Sequence, residues 1–204
     1  FVPMQAVPGN HDQYVDGGRN YAEFFPYDFA SGKGLYYSFN IGSAHFVMIN
    51  AFEKGDEKIT DTQKEWVERD IAAARESGME WIFLAVHDCV LSTGTEGTSE
   101  PLLAWIVPLA DRMDVDAVFY GHDHHYEHWL VEYGKNGLVF DPADTPLGNP
   151  VQYFCAGGGG GRLEVDYGLM TREPASFVRR MYRLPGGEPF DLEIAQNPWD
   201  SSVY

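Results

Sequence analysis

The sequence predicts an α/β fold in which helices alternate with buried parallel strands. The uninterrupted apolar run at residues 81–86 has the length and composition of a strand that is buried on both faces, and the mainly apolar run at residues 115–120 predicts another buried strand. One helical pattern precedes the first run, and a second lies between the two. Strand, helix, strand, helix, strand is the order of layered α/β domains, because each helix returns the chain to begin the next parallel strand.

The first elements are short and lie before the long helices. Residues 1–7 predict a buried strand, and residues 13–34 predict a loop because they are rich in Gly, Asn, Asp and aromatic residues. Residues 35–40 and 44–50 are two β-rich runs, and the three residues that join them include a glycine. This pattern is typical of a hairpin.

Two helices follow the hairpin. Thr60-Asp61-Thr62-Gln63 resembles a capping box, which predicts that the first helix begins there and runs to about Ser77, before Gly78. The second helix is predicted from Pro101 to Met113, because proline suits the first helical turn. The apolar positions of both helices recur at helical spacing: Val67, Ile71, Ala74, Leu102, Leu103, Ile106 and Leu109.

The remainder of the chain carries weaker patterns. Residues 128–133, 137–140 and 151–156 predict further strands, and residues 174–182 predict one helix in an otherwise irregular tail. We interpret residues 1–165 as the core of one domain and residues 166–204 as an irregular extension of the same domain.

Composition and charge exclude several classes of function. The chain has 204 residues, 44% of them hydrophobic, and a formal net charge of −17. This charge argues against nucleic acid as a partner, since phosphate backbones are bound by Lys and Arg. No apolar stretch approaches the ~18 residues that a membrane span needs. Cys89 and Cys155 have neither metal-site nor disulfide-framework spacing and are interpreted as buried free thiols.

Three polar segments follow predicted strands: Gly9-Asn10-His11-Asp12, His87, and Gly121-His122-Asp123-His124. Each has an ordinary explanation when taken alone, since Gly-Asn is a common turn pair, a histidine often ends a buried strand, and a histidine-rich loop can be solvent-exposed. In open α/β sheets, however, functional groups collect at the carboxyl ends of strands. The ordered combination therefore predicts one shared site with the imidazole and amide donors that suit a hydrolytic metal centre.

In order and spacing, these segments resemble the third, fourth and fifth motifs of the calcineurin-like metallophosphoesterases. The resemblance is closest to the purple acid phosphatase branch, because Gly121-His122-Asp123-His124-His125-Tyr126-Glu127 and Tyr153-Phe154-Cys155-Ala156-Gly157-Gly158-Gly159 are also similar to it. The resemblance implies a four-layered α/β/β/α sandwich, incomplete here at the N-terminus. It also implies hydrolysis of phosphoric esters by a metal-bound hydroxide, with two metal ions drawn from Fe, Zn or Mn.

The resemblance assigns roles to individual residues. One metal would be ligated by Asn10, His87 and His122, and the other by His124. His11 would face the substrate phosphate and assist the leaving group, while Asp12 would orient His11. The substrate would be a phosphate ester of small or large size, and an extracytoplasmic location is left open. The sequence does not set the compartment or the oligomeric state.

The first two motifs of the family, Asp-x-His and Gly-Asp-x-x, normally precede the Gly-Asn-His segment and supply a bridging aspartate. Only eight residues precede Gly9, and they contain neither motif. We therefore expect a fragment of a longer metallophosphoesterase. Two alternatives remain at this point: a degenerate domain that binds a partner or has a structural role without catalysis, and a domain that binds a single metal through Asn10, His87 and His122.

The glycine run at residues 157–161 does not predict a phosphate-binding loop of the Walker type. It lacks the Lys-Ser/Thr pair, and the residues after it do not resemble the start of a helix. We expect a permissive turn beside the site, where glycine allows positive φ.

Overall fold

The computed structural model describes residues 4–31, 34–53, 59–134 and 145–159. Its elements, in chain order, are α1 (Asn10–Gln13), α2 (Arg19–Phe24), β1 (Tyr37–Ile41), β2 (Ala44–Ile49), α3 (Asp61–Glu76), β3 (Trp81–Val86), α4 (Glu100–Arg112), β4 (Ala117–Tyr120), β5 (Tyr126–Glu132) and β6 (Pro150–Ala156). The predicted strands at 137–140 and the predicted helix at 174–182 lie outside the described residues, as does the extension at 166–204.

The strands form one mixed sheet in the order β1-β2-β3-β4-β6-β5. The four central strands, β2, β3, β4 and β6, are parallel, while β1 and β5 run antiparallel at the two edges. The chain advances in one direction from β2 through α3 to β3 and through α4 to β4. Right-handed crossovers therefore place both long helices on the same face of the sheet. The predicted α/β fold is confirmed.

The core lies between this sheet face and the two long helices. Val67 and Ile71 of α3, and Ile106 and Leu109 of α4, are fully buried together with alternate residues of the central strands. The opposite face carries a continuous row of aromatic rings in contact from β1 to β5: Tyr37, Phe39, Phe46, Phe83, Phe119, Phe154 and His128. Among the described residues, no helix is long and apolar enough to cross a bilayer.

The strand predicted at residues 1–7 is wrong for residues 4–7, the part that the structure describes. Tyrosine side chains, and not a neighbouring strand, bind the backbone of Ala6. The hydroxyls of Tyr21 and Tyr37 donate to the Ala6 carbonyl oxygen at 2.6 and 2.8 Å, and the Ala6 amide donates to the Tyr27 hydroxyl at 3.1 Å. Period and composition give no sign of partners so distant in sequence.

The loop predicted at residues 13–34 contains α2, which the sequence analysis missed. Asp16 explains the helix, because its carboxylate accepts the amides of Gly18 and Asn20, each at 3.1 Å. Gly18 adopts positive φ (81°) just before the helix begins. The side chain that satisfies the first turn thus stands outside the usual N-cap position.

The helix predicted at Thr60 begins there, but only half of the capping box forms. The Thr60 hydroxyl accepts the Gln63 amide at 3.2 Å. The Gln63 side chain turns inward instead, where it accepts the Asn50 amide at 2.8 Å and donates to the Asn50 carbonyl at 3.0 Å. The carboxylate of Glu53 accepts the Thr60 amide in its place. This exchange ties the end of β2 to the start of α3.

Candidate active site

The three polar segments meet at the carboxyl ends of β3 and β4. His87 follows β3, and the Gly121 amide donates to the His87 carbonyl oxygen at 3.0 Å. The rings of His87 and His122 lie 5.1 Å apart between centroids. Gly9 packs against His87 so closely that a Cβ at Gly9 would lie 3.0 Å from the ring. The backbone before α1 therefore brings Asn10, which is buried, to the same edge.

His87 is surrounded by the other residues of the predicted site. Burial, chiefly, and the neighbouring His122, with smaller effects of His11 and His124, lower the pKa of His87 from 6.5 to about 4, while Asp12 opposes the shift. All four residues are thus within electrostatic reach of this ring. Because its pKa lies below neutral pH, His87 offers an uncharged imidazole with a lone pair for a metal ion at pH 7.

His11 and Asp12 lie in the first turn of α1. The Asp12 carboxylate accepts the Gly9 amide at 2.9 Å and so caps the N-terminus of this short helix. The exposed His11 ring contacts Tyr14 edge-on, with centroids 6.3 Å apart. Tyr14 in turn contacts Phe52, which lies beside His87. The role of Asp12 in orienting His11 stays a prediction.

His122 has an unusual backbone, because its φ of 69° lies in the left-handed region. A non-glycine residue there costs of order 1 kcal/mol and is commonly found at functional sites. Its Nε2 atom faces two carboxylates, with Asp88 Oδ1 at 3.8 Å and Glu96 Oε2 at 3.7 Å. Neither carboxylate was predicted from the sequence. Asp88 could have been noticed because it follows His87 directly, whereas Glu96 lies in a loop without a motif.

Asp123 lies between His122 and His124 in the chain, and its side chain is fully buried. Its carboxylate accepts hydrogen bonds from the hydroxyl of Ser92 and from the amides of Glu96 (2.8 Å) and Gly97 (3.2 Å). Burial alone would raise the pKa of Asp123, but the Ser92 hydroxyl, the Glu96 amide and the neighbouring His125 and Cys89 outweigh it and hold the pKa below its usual value. Asp123 therefore ties the loop after β3 to the loop after β4 through a carboxylate that is ionised at neutral pH.

His125 directly follows His124, but its side chain is turned to Glu127. It is buried, and its Nε2 atom lies 3.4 Å from a carboxylate oxygen of Glu127. Burial opposes the charged ring, but Glu127 outweighs this effect and raises the pKa of His125 to about 9. His128 lies on the other face of the sheet, where its ring stacks on Phe154.

The two free cysteines are confirmed and lie directly behind the site. The Cys89 and Cys155 thiols both face the carbonyl oxygen of Gly121, at 2.9 and 3.6 Å. Gly157 packs beside them, and a Cβ there would fall 2.0 Å from the Asp123 carbonyl oxygen. Close backbone approach, and not the expected positive φ, thus requires glycine at position 157. Residues 160 and 161 of the glycine run lie outside the described residues.

The donor set fits a transition metal ion, since it combines neutral imidazole, amide oxygen and carboxylate. In the part of the chain that the structure describes, no three His, Cys, Asp or Glu side chains are already grouped to hold a metal ion. Binding would therefore require side chains to rotate or further donors to join. The assignment of Asn10, His87, His122 and His124 as ligands stays a prediction.

The chain is similar to calcineurin-like phosphoesterases and, among them, to purple acid phosphatases. The model of the calcineurin-like phosphoesterases matches residues 1–126. Purple acid phosphatase 15 of Arabidopsis thaliana is 31% identical over 170 residues, which cover 79% of this chain and 30% of that protein. The uncharacterized protein Rv2577 of Mycobacterium tuberculosis is 29% identical over 231 residues, which cover 97% of this chain and 42% of that protein.

Among solved structures, the purple acid phosphatase PPD1 from yellow lupin seeds matches with a TM-score of 0.59 and 22% identity, over 78% of this chain and 29% of that one. At this identity the likeness shows the fold. The chain spans less than half the length of each of these relatives.

Proposed function

The chain belongs to the calcineurin-like phosphoesterase family, and we propose that it hydrolyses phosphoric esters at the carboxyl ends of β3 and β4. The observation that carries the proposal is the convergence of the three polar segments around His87, whose ring lies 5.1 Å from that of His122. Asn10, His87, His122 and His124 would hold the metal ions. The relatives named purple acid phosphatases support a phosphate ester as the substrate.

A metal ion bound there would supply positive charge for the phosphoryl oxygens and would activate water near neutral pH. The residues of the chain prepare the site for this. His87 remains uncharged because its pKa is about 4, so protons do not compete with a cation at pH 7. Asp88 and Glu96 add negative charge next to His122. Together with the net charge of −17, they favour cations over free phosphate in the unloaded protein.

His11 would deliver a proton to the oxygen of the departing alcohol. It is exposed, so that a substrate can reach it, and α1 fixes its backbone through the Asp12 cap. A positioned imidazole is a common general acid and contributes typically 10²–10⁴-fold to the rate. Asp12 would act on His11 through the position of α1.

Hydrolysis of an aryl phosphate by the full-length protein tests the proposal. We expect activity that a chelator removes and that added Zn²⁺, Mn²⁺ or Fe restores. His122→Ala should abolish it, and His11→Ala should lower kcat by roughly 10²-fold or more. His128→Gln serves as the matched control, because His128 lies on the opposite face of the sheet.

Equal turnover in His122→Ala and His128→Gln would contradict the assigned site. The alternative, a domain that keeps the fold without catalysis, is not favoured by the family match. It predicts no hydrolysis by the wild-type protein under any metal condition, so the same assay distinguishes the two.

A further inference from the structure

The loop between β3 and α4 is fixed beside His122 by hydrogen bonds to the buried Asp123 carboxylate. The amides of Glu96 and Gly97 donate to the Asp123 carboxylate at 2.8 and 3.2 Å, and the Ser92 hydroxyl also binds that carboxylate. Asp123 directly follows His122 in the chain. The backbone of Glu96 is therefore fixed relative to the backbone of His122 by a single side chain.

Gly94 makes the same loop fit closely. A Cβ at this position would lie 2.3 Å from the His125 ring and 2.5 Å from the Asp123 carboxyl carbon. The Ser92 hydroxyl accepts the Gly94 amide at 3.0 Å, which fixes the turn further. A loop tied down at several points presents its side chains at defined positions, and beyond His87 and Asp88 it places Glu96 against His122.

The separation between Glu96 and His122 has the size expected of two donors to one cation. Glu96 Oε2 lies 3.7 Å from His122 Nε2, which exceeds normal hydrogen-bond length. Two ligand atoms that each lie about 2.0–2.2 Å from a shared metal ion are separated by up to roughly 4 Å. Asp88 Oδ1 lies 3.8 Å from the same nitrogen, but it also accepts the amide of Cys89 at 3.0 Å, which fixes it in its own turn.

We propose that Glu96 is a carboxylate ligand of the metal centre, supplied by the loop between β3 and α4. The proposal rests on the proposed function, because it concerns the metal that the family implies. It adds a residue outside the three polar segments, and so outside every motif on which the ligand assignment was based. The Glu96 side chain is 53% exposed, so it has room to rotate towards an ion that binds beside His122.

Binding of Co²⁺ to the full-length protein tests this role without reference to turnover. The affinity and the visible absorption of bound Co²⁺ would be measured for the wild type, Glu96→Gln, Glu96→Ala and His122→Ala. Glu100→Gln is the matched control, since it removes the same charge from an exposed glutamate at the start of α4. We expect Glu96→Gln and Glu96→Ala to weaken binding by at least the 10–100-fold that loss of an outer partner costs, and to alter the absorption band. Glu100→Gln should leave both unchanged.

The outcomes separate this inference from the proposed function. If His122→Ala loses Co²⁺ while both Glu96 variants bind as the wild type does, the ligand role of Glu96 is wrong and the site stands. If Glu96→Gln binds normally and only Glu96→Ala is weakened, Glu96 merely orients His122 by a hydrogen bond, and the ligand role is again overturned. If His122→Ala also binds normally, the assigned site itself is wrong.

Discussion

At the scale of single residues, the site depends on His122, whose backbone adopts a conformation that residues other than glycine rarely take. His122 adopts positive φ, and the bonds around it explain why it stays there. The Gly121 amide is bound to His87, and the Asp123 amide donates to the Gly121 carbonyl at 2.9 Å. The buried Asp123 carboxylate then fixes the next turn. The strain at His122 is therefore offset by hydrogen bonds on either side of it.

Two tyrosines fix the N-terminal segment at the same scale. Tyr21 and Tyr37 are buried and donate to the same carbonyl oxygen, that of Ala6. Burial raises the pKa of both phenols above the ordinary value of 10. The unfolded chain thus releases their protons at a lower pH than the folded protein does.

This difference predicts a loss of stability in alkali. Below pH 10 both phenols are neutral in either state, so their contribution is complete, and it declines as the pH rises above 10 because only the unfolded state ionises. Tyr21→Phe and Tyr37→Phe should each cost about 1 kcal/mol at pH 8 and should flatten the decline between pH 10 and 11. Urea denaturation at each pH measures this. The exposed Tyr126→Phe is the control, and an unchanged decline in the buried variants would contradict the argument.

At the scale of elements, the site joins the segment that leads into α1 to the loops after β3 and β4, and these two loops pack backbone against backbone with the turn after β6. The Gly157 amide donates to the His125 carbonyl oxygen at 3.2 Å. A Cβ at Gly157 would point at the Asp123 carbonyl oxygen. A methyl group has no space there, because the nearest atom belongs to the backbone and cannot rotate away.

Gly157→Ala should therefore destabilise the protein by about 1–3 kcal/mol, the cost of overpacking, and should weaken metal binding by moving Asp123 and its neighbours. Gly159→Ala is the matched control, since a Cβ there meets nothing within 4 Å and its φ is not positive. Thermal unfolding and Co²⁺ titration of both variants measure the effect. Equal melting temperatures for the two would show that the turn after β6 yields without cost.

Elements and site were predictable from the sequence to different degrees. The strand at 81–86 and the helices after Thr60 and near Pro101 were predicted within a few residues, because apolar periodicity and end signals are local. The Tyr21 and Tyr37 bonds to Ala6 were not, since each joins residues at least 15 apart in the chain. The three polar segments could be placed at one edge of the sheet because each directly follows a predicted strand. Glu96 lies in a loop without a motif, so only the structure shows that it is near His122.

At the scale of the whole molecule, the sheet separates two kinds of surface. One face is covered by α3 and α4, and the other carries the row of rings from Tyr37 to His128. The row depends on strand register, for example Phe46 opposite Phe83 and Phe119 opposite Phe154. Alternation within one strand predicts which residues share a face, but only the pairing of strands reveals that the rings align.

The net charge of −17 gives the last prediction, because the folded protein concentrates this charge and a bound cation relieves part of it at one place. A divalent ion that binds only the folded state stabilises it by RT ln(1 + [L]/Kd), or about 2.7 kcal/mol at a concentration of 100 Kd. Zn²⁺ or Mn²⁺ should raise Tm, and a chelator should reverse the increase. NaCl at matched ionic strength screens charge without occupying a site, so it should reproduce little of the effect.

The variant His122→Ala should lose the metal-dependent increase in Tm and keep the response to NaCl, because the overall charge is unchanged. A metal-dependent increase that survives in His122→Ala would mean that cations act on the acidic surface as a whole and not at the ends of β3 and β4.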